Sequence, residues 1–136
     1  MTRALRKKTN LTARLVEGFD AVLSPVSEPK EIQALIDGLG VSQEEFARLI
    51  KASGPSVSRW VRGTSRPSGR MAEKLGRLKI VLDILEPAIE KKDLKHFLAR
   101  PHTRLRGHSP SSLLDTDYGL EAVKDLIETA FTGAFT

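Results

Sequence analysis

Apolar residues recur at helical spacing along almost the whole chain, and no stretch alternates with the period of two that marks a half-buried strand. The pattern predicts an all-α protein. Leu11, Leu15, Phe19 and Val22 make one stripe, closed by Ser24 and Pro25, and a turn-rich stretch then leads to a second helix burying Ile32, Leu35, Ile36 and Leu39, with Gly40 as its left-handed cap. Ser42 and Glu45 have capping-box spacing, so a third helix starts at about Ser42 and turns Phe46, Leu49 and Ile50 inward. A short helix capped by Ser53 carries Val57 and Trp60 inward and ends before Gly63. Ser68 caps a longer one with the stripe Met71, Leu75, Leu78, Leu82 and Leu85, which Pro87 closes or restarts. A helix over Pro87 to about Arg100, a short turn opened by Ser109 and Pro110, and a last helix from about Tyr118 to Phe131, burying Leu120, Val123, Ile127 and Phe131, complete the chain. A soft boundary falls near Leu85 to Pro87.

The 136 residues suffice for one domain or two small ones. No apolar run approaches the roughly 18 to 20 residues needed to span a bilayer, and the basic start leads into no signal-peptide core, so a cytoplasmic protein without a membrane partner is expected. Cysteine is absent, which removes disulfides, thiol catalysis and thiolate metal sites. His96, His102 and His108 repeat every six residues instead of at the three- or four-residue spacing of helical metal ligands, and no cofactor or metal is expected. Asp115 and Asp117 lie in a turn-rich setting where Asp commonly caps or bonds backbone, and no nucleophile with its base and no phosphate-binding glycine loop is present, so no enzyme activity is expected.

Charge is segregated. From Arg48 to Lys79 nine basic residues face one acid, a local net charge of +8, whereas Ser111 to Thr136 carries five acids and one lysine, a net of −4. The first segment would attract a polyanion such as nucleic acid, and the second is freer to meet a protein.

The words "VSQEEFARLI", "SVSRW" and "RG" between Val41 and Gly63 form a capped helix, a tight turn and a short helix with an inward Val and Trp. This resembles the helix-turn-helix of Xre-type repressors, the lambda-repressor class, in which the second helix enters the major groove. The resemblance implies that Gln43 holds a phosphate, that Ser56, Ser58 and Arg59 face the DNA with Arg59 reading a base, and that Arg62, Ser65, Arg66 and Arg70 clamp the backbone or reach a minor groove. Trp60 at this spacing is a core anchor. The chain departs from the pattern in two ways. Lys51 stands where the tight turn usually has Gly, so either a non-Gly residue is left-handed or the turn is rearranged, and Gly54 and Pro55 replace polar base readers.

The string "FLARPHTRLRGHSPSSLLDTDYGLEAVKDLIETAFTG" is punctuated by Pro101, Gly107, Pro110 and Gly119, with Leu105, Leu113 and Leu114 pinning a compact loop. It is similar to the C-terminal toxin-binding domain of the Xre/MbcA/ParS antitoxins, matching that pattern at Pro101, His102, Leu105, Gly107, Ser109, Pro110, Leu113, Leu114, Thr116, Gly119, Val123 and Leu126. The resemblance implies a lambda-repressor-like bundle over residues 31–86, preceded by an arm and helix over 1–30 and followed by a small helical toxin-binding domain over 87–136. It further implies an antitoxin that binds a RES-domain toxin, an enzyme that consumes NAD, and obstructs its NAD pocket with the C-terminal region, for which Phe131, Gly133, Phe135 and Thr136 are candidates. Such antitoxins repress their own promoter, usually as a dimer or in complex with toxin, and a symmetric dimer implies a palindromic operator. The alternatives are a stand-alone transcriptional regulator whose C-terminal domain serves dimerisation, and a partner-binding adaptor with a degenerate helix-turn-helix, consistent with Gly54 and Pro55.

Overall fold

Three serine caps start three of the helices in the computed structural model, which describes residues 22–131. The elements are α1 (Pro29–Leu39), α2 (Gln43–Ile50), α3 (Gly54–Arg62), α4 (Gly69–Leu85), α5 (Lys91–Ala99), two 3-10 turns (Thr103–Leu105 and Pro110–Leu113) and α6 (Asp117–Phe131). Among the described residues the one strand-like feature is a single antiparallel bridge between His102 and His108, so the protein is all-α. The stripe of Leu11, Leu15 and Phe19 lies outside the described residues, and Val22 at their edge is exposed.

The caps follow from local chemistry. The Glu45 amide donates to the Ser42 hydroxyl at 3.1 Å while the Ser42 amide donates to the Glu45 carboxylate at 3.0 Å, which satisfies two donors that the first turn of α2 would otherwise leave bare. The Ser56 and Met71 amides donate to Ser53 and Ser68 in the same way. α1 ends on Gly40 and α3 on Gly63, both left-handed.

Two elements differ from the pattern's prediction. The helix after Pro87 begins only at Lys91, because the Ala88 and Ile89 amides turn back to the Leu85 carbonyl at 2.8 and 3.1 Å and close α4 instead of opening α5. α4 is buried almost all round: besides Leu75, Leu78, Leu82 and Leu85 it buries Ala72, Lys74, Gly76, Arg77, Ile80, Val81 and Ile84, whereas Met71 is only half-buried. It runs through the middle, with α1 and α6 packed against it and the chain at Leu23 and Ser24 crossing it so closely at Gly76 that a Cβ there would lie 2.5 Å from the Ser24 carbonyl. Phe131, expected in the core, is half-buried beside Phe97, with ring centroids 6.2 Å apart.

One contiguous core results. Ile32, Phe46, Val57 and Trp60 from the first helices join Leu78, Ile84, Leu94, Leu98, Leu114, Val123 and Ile127 in a single cluster, so packing crosses the turn at residues 86–87 without a break.

Candidate nucleic-acid interface and C-terminal loop

α2 and α3 pack against each other across a turn whose corner is Lys51 at φ 60° and ψ 46°. Of the two ways to accommodate a non-Gly residue there, the chain takes the left-handed one. Val57 and Trp60 point into the core, which confirms Trp60 as an anchor, and leave Arg59 fully outward. Ser53 Oγ donates to Ser56 Oγ at 2.7 Å and Arg59 Nη2 donates to the same oxygen at 3.3 Å, so the guanidinium lies along α3 towards its N-terminal end. Gln43 is the first residue of α2 and half-buried, as are Ser56, Ser58 and Ser65. Arg62, Arg66 and Arg70 are exposed; Arg62 Nε donates to the Ser58 carbonyl at 3.3 Å, and Arg66 pairs with Glu28 at 2.8 Å across the start of α1.

The basic segment does not all face outward. Lys74 and Arg77 are buried, each about 6% exposed. Lys74 Nζ donates to the Ile50 carbonyl at 2.8 Å, at the end of α2, and pairs with Asp115 at 2.9 Å. Arg77 donates to the carbonyls of Leu114 and Asp115 at 3.2 and 3.1 Å and, through Nε, to Asp117 at 2.9 Å. Asp115 and Asp117 therefore answer two buried cations, a use that neither a catalytic pair nor a backbone cap would have suggested. The signal available in the sequence was the pairing of cations flanking the α4 stripe with two acids in an otherwise polar turn. Sequence reasoning also missed Glu45 with Lys95, an ion pair at 3.1 Å joining α2 to α5. The Ser42 amide first, and then Lys95, hold the Glu45 carboxyl below the usual carboxylate range.

The C-terminal loop is built from inside. Leu105, Pro110, Leu114 and Gly119 are buried, and a Cβ on Gly119 would collide with the Leu113 carbonyl. The Gly119 amide donates to Thr116 Oγ1 at 3.0 Å, which starts α6. His102 Nε2 lies 3.2 Å from the Phe97 carbonyl and its ring 5.0 Å from that of Phe97, so it buttresses the loop. At the surface lie Pro101, Gly107 and Thr116, with His102, Ser109, Leu113 and Phe131 half-buried. Gly133, Phe135 and Thr136 lie outside the described residues.

The fold and these surfaces define a helix-turn-helix protein with a helical C-terminal module fused to it through a common core. Residues 32–78 match the helix-turn-helix family, and residues 89–132 match the antitoxin Xre/MbcA/ParS C-terminal toxin-binding domain. The chain is similar to the mycobacterial cidal antitoxin MbcA of Mycobacterium tuberculosis and of Mycobacterium bovis, each 28% identical over 105 residues that cover 76% of this chain and 91% of the relative. Together these matches support an Xre/MbcA-type antitoxin, with a helix-turn-helix followed by a toxin-binding domain.

Proposed function

We propose that this antitoxin neutralises a cognate RES-domain toxin by direct contact, its C-terminal region obstructing the pocket in which the toxin consumes NAD, and that it represses its own operon. It acts in the cytoplasm by binding, without catalysis. Residues 31–86 serve DNA and residues 87–136 serve the toxin. The observation that carries the reading is the match of residues 89–132 to a toxin-binding domain whose loop is held from within by Leu105, Leu114, Gly119 and Arg77, leaving Pro101, Gly107, Thr116 and Phe131 to a partner. Gly133, Phe135 and Thr136 are the residues assigned to the toxin's pocket.

On DNA, α2 crosses the backbone with Gln43 on a phosphate, and α3 presents Ser56, Ser58 and Arg59 to a palindromic operator bound by a dimer. The arginine reads a guanine edge. Arg62, Ser65, Arg66 and Arg70 clamp the backbone, Arg66 by exchanging Glu28 for a phosphate.

Co-expression with the neighbouring gene product, following cellular NAD and co-purification, tests the toxin half. NAD is expected to collapse with the neighbour alone and to recover with the full chain. A chain ending at Phe131, which keeps every described core residue, should bind the neighbour yet leave NAD low. Full rescue by that shortened chain would remove the tail from the mechanism, and a neighbour that neither binds nor affects NAD would leave a stand-alone regulator as the better account. For the DNA half, Arg59→Ala should lose its preference for the promoter over random duplex; undiminished discrimination would sink the assignment of Arg59.

A further inference from the structure

A hollow of about 350 Å³ runs between α2 and the C-terminal module. Its α2 wall extends from Val41 to Lys51, the whole length of the helix proposed to cross the DNA backbone, and its far wall holds Lys95 and His96 on α5 with Ser109 and Ser111 beyond. A second hollow shares Lys95 and continues past Gly40 to Lys91 and Lys92. The alkyl stem of Lys91 lies on Gly40, 3.2 Å from where a Cβ would stand, so the start of α5 is pressed against the entry to α2.

The charge along these joined hollows is one-sided. Arg48, Lys51, Lys91, Lys92 and Lys95 line them with His96, and among the described residues lining them Glu45 is the single acid, already spent on Lys95 and on the Ser42 amide. Arg48, Lys51, Lys91 and Lys92 form no ion pair with any described residue. Lys51, moreover, holds its ammonium here at the cost of a left-handed backbone that Gly would adopt freely.

Resting on the DNA-binding reading above, we infer that this joined groove is an anion-binding track that takes phosphates of the DNA backbone outside the stretch read by α3, so that α5 of the toxin-binding module shares in DNA binding. The chemistry suits a phosphodiester chain: Arg48 and Lys51 on the α2 side and the ammonium groups of Lys91, Lys92 and Lys95 on α5 flank the groove, with the hydroxyls of Ser109 and Ser111 beyond them.

The test is the salt dependence of binding by the full chain to a duplex from its own promoter and to a random duplex, read by fluorescence anisotropy. The double variant Lys51→Gly/Lys92→Gln should bind both duplexes more weakly and lower the slope of log K against log salt by about one per lost contact. Glu45→Gln keeps the capping box and frees Lys95, so it should bind both duplexes more tightly and steepen the slope. Unchanged slopes in both variants, with Arg59→Ala still losing its preference, would overturn the groove and leave the α3 reading standing. A wild-type chain that binds neither duplex would overturn both. Inorganic phosphate, followed through the His96 ring resonances, supplies the remaining arm: saturation by phosphate that DNA does not displace would assign the groove to a small free anion and overturn its assignment to DNA.

Discussion

Lys51 and Glu45 sit six residues apart on the same helix and its corner, and each shows what a single side chain is asked to do. A Cβ in the left-handed region costs about 1–2 kcal/mol, so Lys51→Gly should raise the unfolding free energy by about 0.5–1 kcal/mol once the extra freedom of glycine in the unfolded chain is subtracted. Thermal or urea unfolding measures it. A gain in stability joined to a loss of DNA affinity would separate the two uses of the residue. Glu45 gives a pH signature. Its carboxyl is held below the ordinary value in the folded chain, so its contribution is complete above that ordinary value of 4.5 and disappears as pH falls through the lower folded one. Glu45→Gln should therefore lose less stability than the parent between neutral pH and the acid limb, as urea midpoints across pH would show; equal losses would mean that the Ser42 amide and Lys95 do not act on this carboxyl.

α4 is the element on which the two halves of the chain meet. Arg77 satisfies the carbonyls of Leu114 and Asp115 from inside, and the Leu114 bond is buried. Arg77→Leu leaves these acceptors without their donor while Asp117, being exposed, finds water, so the expected loss is about 1–3 kcal/mol by urea unfolding, with the loop at residues 113–117 losing amide protection first. The caps around this element were legible because Ser42, Ser53 and Ser68 act on amides three residues away, within reach of any local reading. The burial of α4 almost all round was not. A stripe of Leu75, Leu78, Leu82 and Leu85 describes one face, and only the arrival of α6 and of the chain at Leu23 and Ser24 covers the others. For the same reason Lys74 and Arg77 looked like two more charges for nucleic acid, since their partners in the turn at residues 114–117 lie 37 to 41 residues away. The loop could be recognised from its string because its punctuation answers local backbone demands, a close approach to the Leu113 carbonyl at Gly119 and a left-handed turn at Gly107, which tolerate few substitutes.

Across the whole molecule the continuous core makes a cooperative unit of the two matched segments. Trp60, the single tryptophan, reports on the helix-turn-helix, and Ile127 is fully buried at the other end of the chain. Ile127→Ala should cost about 2–5 kcal/mol and shift the unfolding seen by Trp60 fluorescence by as much as that seen by circular dichroism. A tryptophan transition left in place would mean two independently stable halves. The same construction bears on the order in which the protein comes into being. The chain leaves the ribosome with α1, α2 and α3 ahead of the rest of the bundle, yet the face of α4 that α6 covers stays wet until residues 117–131 have emerged. The helix-turn-helix half thus waits for the last helix of the segment matched to a toxin-binding domain, and a message cut short before α6 yields a chain whose central helix stays bare on that face.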